Sequence, residues 1–259
     1  MLFLAGLPLW QAMLLVVVLP TIVAVCVQII VRRTFELRQL ATNNEIAGFK
    51  FATVGVIFAV IVAFAVIVVW EKFAEAQAAV AQEAGAAETL YRLSAGPDAQ
   101  VKATREALRN YLKLDVEKDW PAMAEGKGSP EVTEALGDLY SSVARLAEGE
   151  TKHTALLIEM FKQLDEITHD RRTRLHLASG VVPTVVWVVV FTGAALTVAF
   201  AFFFGAENLR AQILMTTFLS LLTFTAVYAV VEINYPFTGP SYVKSNAISE
   251  VVADFTPKE

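Results

Sequence analysis

Four runs of apolar side chains, at residues 7–31, 51–70, 181–204 and 213–231, contain no ionised residue. A helix needs roughly 20 apolar residues to cross about 30 Å of hydrocarbon, so each run is long enough to span a membrane. A core helix of a water-soluble protein would show polar residues on its solvated side every three or four positions, and residues 54–70 show none. The chain therefore reads as an all-α integral membrane protein with four transmembrane helices. With 56% hydrophobic and only 18% charged residues, it has too little charge to be soluble throughout.

The charge that exists is concentrated. The whole chain carries a net charge of −5, and residues 71–180 hold 19 acidic and 14 basic side chains, so the entire net charge belongs to that block. Nothing in this balance suits nucleic acid or a polybasic grip on lipid headgroups. The block is rich in Ala, Glu, Leu, Lys, Gln and Arg, which favours helices. Breaks are signalled at Ser94-Ala95-Gly96-Pro97, at Gly126-Lys127-Gly128-Ser129-Pro130 and more weakly at Glu148-Gly149. Asp98 can cap the second helix, and Ser129 with Pro130 in the first turn can cap the third. Apolar residues recur at helical spacing in Val101, Leu108, Tyr111, Leu112 and Val116, and again in Leu136, Leu139, Tyr140, Val143 and Leu146. Leu156, Leu157, Met160, Phe161, Leu164 and Ile167 continue the pattern in a fourth helix. The expected division is residues 1–70 for spans one and two, 71–180 for a helical extramembrane domain, 181–235 for spans three and four, and 236–259 for a C-terminal tail. Spans two and three are expected to run on into the domain as continuous helices.

Pro20 falls inside the first run, where it removes a backbone hydrogen bond and should kink the span. That run lacks a basic lead and is too long for a secretory signal, so it is expected to be retained. Near the spans, Arg32, Arg33, Arg38, Lys50 and Arg210 lie on one side of the membrane. Lys72, Lys162, Arg171, Arg172, Arg174, Lys244 and Lys258 lie on the other. Seven against five leans only weakly towards a cytoplasmic domain. His176 adjoins three of these arginines and reads as an interfacial histidine.

Residues with chemical potential are few. Glu150 with His153, and Glu166 with His169, have the Glu-x-x-His spacing of di-iron bundles. The two pairs start 16 residues apart, about 24 Å along one helix, so they cannot face a common metal. No metal or cofactor is expected. The lone Cys26 offers no disulfide, and no nucleophile elbow, phosphate loop or dinucleotide fingerprint occurs, so an enzyme is disfavoured.

The spans carry two stripes of interest. Gly55, Ala59 and Ala63 recur every fourth residue, the small-residue pattern that lets membrane helices approach closely. Thr53, Ile57 and Ile61 recur at the same period, and in an oligomer they would form stacked rings, which as apolar constrictions gate by dewetting. In span four Thr216, Ser220 and Thr223 share one face, with Thr217 beside them and Glu232 at the end. Packing against a neighbouring helix is the favoured reading for these hydroxyls over a pore lining. No charge sits at a span centre, which argues against a proton pump or a voltage sensor.

Span two from Gly48-Phe49-Lys50 to Val68-Val69-Trp70-Glu71, then Glu83, Tyr91 and Arg92, and Tyr111 ahead of Asp119-Trp120-Pro121-Ala122-Met123, resembles the bacterial bestrophin-like membrane proteins. Asp119 stands where that family has Glu before the Trp. The segment Ile233-Asn234-Tyr235-Pro236-Phe237-Thr238-Gly239 is similar to the Ile-Asn-Pro-Phe-Gly of bestrophin anion channels, with Tyr and Thr inserted. The acidic calcium-binding run that follows in bestrophins is replaced by Pro240, Ser241 and Tyr242, so calcium gating is not carried over. The resemblance implies a multi-pass protein of the bacterial inner membrane, cytosolic termini, a cytoplasmic helical domain, and a homopentamer whose axial pore is lined by span two. Its apolar neck would fall on Thr53, Ile57 and Ile61.

Two functions compete. One is an oligomeric channel for small anions, whose partners are further copies of itself and the bilayer. The other is a non-conducting membrane scaffold or sensor whose helical domain binds a protein.

Overall fold

The computed structural model describes residues 2–42, 44–96, 98–149, 154–180 and 182–255. In chain order the elements begin with α1 (Leu2–Ala5), α2 (Leu9–Met13), a π-helical turn (Leu14–Val18), α3 (Leu19–Thr34), α4 (Leu37–Ala41) and α5 (Asn44–Leu93). There follow α6 (Ala99–Leu114), a second π-helical turn (Asp115–Asp119), α7 (Trp120–Ala124), α8 (Pro130–Gly149), α9 (Thr154–Ala178), α10 (Thr184–Ala201), α11 (Leu209–Ile233) and α12 (Asn246–Asp254). No strand occurs among the described residues. Leu9–Thr34, Asn44–Leu93, Thr184–Ala201 and Leu209–Ile233 are long and apolar enough to cross a membrane.

The chain forms two compact units. One comprises Phe3–Glu71 with Val181–Asn234, and the other Lys72–Gly180 with Tyr235–Glu259. The 50-residue α5 runs through both without a break, so span two continues into the second unit as the sequence led us to expect. Span three does not. The helix that precedes it stops at Ala178, Gly180 adopts a left-handed φ of 85°, and Pro183 takes the N-cap position of α10. A left-handed glycine ends a helix because it reverses the backbone's hand. A proline just beyond disfavours helical geometry at the residue before it.

Pro20 is accompanied by a local widening of the helix. It lies in the first turn of α3, immediately after the π-helical turn. There a missing N–H costs little, and the widened turn absorbs the displaced ring.

In the membrane unit, α11 packs against both α3 and α10. Its hydroxyl face is a packing seam: Thr216, Ser220 and Thr223 are buried, and the Thr216 hydroxyl donates to Gln28 Oε1 of α3 at 3.3 Å. Thr217 instead donates to the carbonyl of Ile213, one turn back. Further along the same seam Tyr228 packs on Ala12, Val16 and Val17.

The second unit is built on α6 against α8, with α9 on α8 and α12 on α6. Leu108, Tyr111 and Leu112 of α6, Leu139 and Val143 of α8, and Leu164 and Ile167 of α9 are fully buried. These are the apolar positions that the helical spacing selects. The start of α9 departs from the pattern, because Leu156 and Phe161 remain exposed. Asp98 occupies the N-cap position of α6 without a side-chain bond. Ser129 does cap α8, its Oγ accepting from the N–H of Val132.

The C-terminal segment is part of this unit rather than a loose tail. Trp120 donates its indole N–H to the carbonyl of Val243 at 3.0 Å and meets Phe237 edge-to-face. Phe255 stacks on Tyr91 with ring centroids 3.7 Å apart, and the Arg105 guanidinium lies over the same Tyr91 ring.

Candidate functional site

Within the membrane unit α5 has one committed face. Phe58, Val62, Ala65 and Val69, spaced 4, 3 and 4 residues apart, pack on Trp187, Val190 and Ala194 of α10 and on Val227, Val230 and Val231 of α11. At 100° per residue the two stripes singled out from sequence lie on opposite flanks of this face. On one flank Thr53 and Ile57 are exposed and Ile61 is half-buried against the cluster. Thr53 turns its hydroxyl to the carbonyl of Phe49, leaving its methyl to the surface. Ile57 and Ile61 also border a groove of about 390 Å³ shared with Val188, Thr192 and Leu196 of α10.

On the other flank Ala59 and Ala63 are exposed, and a Cβ added to Gly55 would meet nothing within 4 Å. Among the described residues no helix packs on that small-residue stripe. The close approach inside the chain is made by Gly193 of α10 instead, where an added Cβ would lie 2.8 Å from the Phe58 ring. Opposite the committed face, Phe49, Val56, Val60, Phe64 and Ile67 project outwards, Phe49 being 79% exposed.

The ends of the spans are tied by a loop in which three successive carbonyls accept side-chain donors. Gln212 Nε2 donates to Phe204 O at 2.5 Å, Asn44 Nδ2 to Gly205 O at 2.7 Å, and Arg32 Nη2 to Ala206 O at 2.9 Å. Asn44 also accepts from the N–H of Gly205 at 3.0 Å, so one side-chain amide holds both polar groups of that residue. The aromatic contacts of Phe51 with Phe200 and Phe204 close the same corner.

The second unit conceals a constellation that local sequence signals do not announce. Arg174 is fully buried, with Nε 2.7 Å from Glu83 Oε2 and Nη2 2.8 Å from Asp115 Oδ1. Its guanidinium lies 4.6 Å from the Trp120 ring centroid, a cation–π contact, and Nη1 reaches Met123 Sδ. Tyr111 donates its hydroxyl to the other Glu83 oxygen at 2.6 Å. One turn away Arg171 grips Asp119 through Nε and Nη2 and donates to Ser129 O and Thr133 Oγ1. The backbone N–H of Ser129 completes Asp119 at 2.7 Å.

Burial dominates the electrostatics. Desolvation pushes the Asp115 carboxyl up to about 8, with Arg174 opposing and Glu83 adding to the rise. Desolvation likewise pushes Asp170 up to about 6, helped by the nearby Glu83. The Tyr111 hydroxyl is held well above its ordinary range by burial and then by the Glu83 and Asp115 charges, so it stays a donor.

Arg171 and Arg174 are thus not interfacial cations, as their closeness to span three suggests, but core ion pairs, while His176 is exposed. Their partners lie 52 and 91 residues away in sequence, beyond any local signal. Glu83, Tyr111, Asp119, Trp120 and Met123, which carry the bestrophin-like resemblance, are the residues that gather around the two arginines. Glu166 and His169 sit on α9, and among the described residues no group of three His, Cys, Asp or Glu could hold a metal. Glu150 and His153 lie outside the described residues.

The fold has close counterparts. A point variant of a bacterial bestrophin homologue from Klebsiella pneumoniae superposes with a TM-score of 0.71 at 18% identity, covering 93% of this chain and 99% of that one. Another structure of the Klebsiella homologue gives a TM-score of 0.70 at 18% identity, again over 93% and 99% of the two chains. A further variant reaches 0.72 at 16% identity, over 92% and 97%. Among curated protein sequences none matches. The sequence profile of the Bestrophin-like domain matches residues 18–248, which takes in the later part of span one, spans two to four and nearly all of the helical unit. The chain is a membrane protein that belongs to the bestrophin-like family.

Proposed function

We propose that the protein is one subunit of an oligomeric channel, most simply a pentamer, that passes small anions through an axial pore lined by span two. The observation that carries this reading is the division of α5 into one committed face and a broad apolar remainder that stays exposed among the described residues. In this reading Thr53, Ile57 and Ile61 ring the pore, and Gly55, Ala59 and Ala63 seat the neighbouring subunit. Ile57 supplies the constriction, Thr53 one ring beside it, and Ile61 the edge where the pore wall meets the subunit core. An apolar ring resists wetting, so it closes the pathway unless it widens slightly. Passage of anions follows from the resemblance to bestrophin anion channels. The protein would reside in the bacterial inner membrane with the helical unit in the cytoplasm.

Purified protein reconstituted in liposomes tests this. Chloride should leave loaded vesicles faster than from protein-free controls, and Ile57→Ala should raise the rate severalfold by widening the ring. Vesicles that stay tight across pH, voltage and divalent-ion conditions would favour a non-conducting scaffold.

A further inference from the structure

The core of the helical unit contains more carboxyl groups than its cations can neutralise. Glu83, Asp115, Asp119 and Asp170 are all buried there, against Arg171 and Arg174 alone among the buried cations of the described residues. Arg171 is committed to Asp119, and Arg174 is divided between Glu83 and Asp115. The hydrogen bonds separate the four acids into two kinds. Glu83 accepts at both oxygens, from Tyr111 and Arg174, and Asp119 accepts at both, from Ser129 and Arg171. That is the pattern of ionised carboxylates, which accept only. Asp115 and Asp170 each keep one oxygen, Oδ2, buried without a partner. A bare charged oxygen in a dry core costs several kcal/mol, whereas a protonated one carries no charge there.

We propose that this core is a proton-binding site that fills in two steps, the first proton held on Asp115 at neutral pH and the second taken up by Asp170 in mild acid. The order follows from position. Asp115 faces Glu83 from α5, Tyr111 from α6, Asp119 of its own turn, and both Arg171 and Arg174 from α9, of which Arg174 bonds to it. It therefore shares a single guanidinium with a second carboxylate at zero exposure. Asp170 lies nearer the edge, facing Glu83 from α5 together with Glu166, His169 and Arg174 of its own helix. From α8, Tyr140 meets α9 and is engaged with Thr168. The upward shifts at Asp115 and Asp170 agree with this order. Losing the first proton leaves two carboxylates competing for Arg174, which weakens the grip of α9 on Glu83 and so on α5. The inference rests on the helical unit alone and stands whether or not the spans conduct.

The test is infrared difference spectroscopy on the full-length protein in nanodiscs, titrated between about pH 9 and about pH 5. Two signals for the carbonyl stretch of a protonated carboxyl should appear, one as the pH falls towards neutral and one near pH 6. Asp115→Asn should remove the first, Asp170→Asn the second, and Asp119→Asn neither. Hydrogen exchange of the α5 backbone beyond Lys72, corrected for intrinsic rates, should lose protection towards pH 9 in the wild type and not in Asp115→Asn. Absence of any protonated-carboxyl signal in the wild type over this range overturns the proposal, as does survival of both signals in the Asp115→Asn, Asp170→Asn double variant. If Asp115→Asn fails to fold, the wild-type titration still decides whether protons are bound, and Asp170→Asn decides where the second one sits.

Discussion

Arg174 shows what one residue can hold. It bonds to two acids on different elements, stacks over an indole, and does so with no access to solvent. Removing one partner of a buried ion pair costs about 3–5 kcal/mol because the other charge is left stranded. Arg174→Met should therefore lower the thermal midpoint of the purified protein sharply, and Arg174→Lys should not restore it, since a compact ammonium lacks the planar fork whose Nε and Nη2 hold the two acids. A midpoint within a degree or two of wild type for either variant would contradict the network. Glycines give a second contrast. A Cβ on Gly205 would lie 2.8 Å from the backbone nitrogen of Ala41, so Gly205→Ala should cost about 1–3 kcal/mol in overpacking. Gly55→Ala meets nothing in its own chain, so a loss there, read as dissociation of oligomer by native mass spectrometry, would report contact with another subunit. Asp170 adds a pH dependence. Its folded carboxyl keeps a proton up to about 6, whereas the unfolded one releases it near 4, so the folded form binds more protons in between. That contribution is complete below about pH 4 and is lost as the pH rises through 6. Thermal melts from about pH 4.5 to 6.5 should shift less in Asp170→Asn than in wild type.

At the scale of elements, the sequence was legible wherever the cause is local. The four spans follow from runs of apolar residues, the break before α8 from Ser129 and Pro130, and the buried faces of α6, α8 and α9 from helical spacing. The misreadings have causes of their own. Each π-helical turn starts six residues before a proline, Leu14 before Pro20 and Asp115 before Pro121. A proline inside a helix predicts a distortion but not whether the chain kinks or widens into a π turn. The second widened turn bears both Asp115 and Asp119, so the same distortion serves the ion pairs. Continuity of span three failed at Gly180, because composition around it looks helical while the backbone needs a positive φ. Gly180→Ala should therefore cost about 1–2 kcal/mol, the penalty of a left-handed non-glycine residue, detectable as a lower thermal midpoint. The ion-pair core stayed hidden for another reason. Arg171 and Arg174 look like interface cations to any local reading, and only tertiary packing brings them to acids far away in the chain.

For the whole molecule, membership of the bestrophin-like family and the four spans make span two the element on which the proposed channel function turns. Its committed face packs on α10 and α11, its continuation carries Glu83 into the helical unit, and its remaining surface is apolar and exposed among the described residues. The central claim is that this surface, at Ile57, faces a water-filled axis shared by several copies. A cysteine there should be reachable from water although it sits among apolar residues. The measurement is chloride efflux from liposomes containing Ile57→Cys in a Cys26→Ser background, before and after a charged, membrane-impermeant thiol reagent. The account predicts that the reagent labels position 57 and blocks efflux, while the Cys26→Ser parent is unaffected. A cysteine at 57 that stays unlabelled, or is labelled with efflux unchanged, would contradict it.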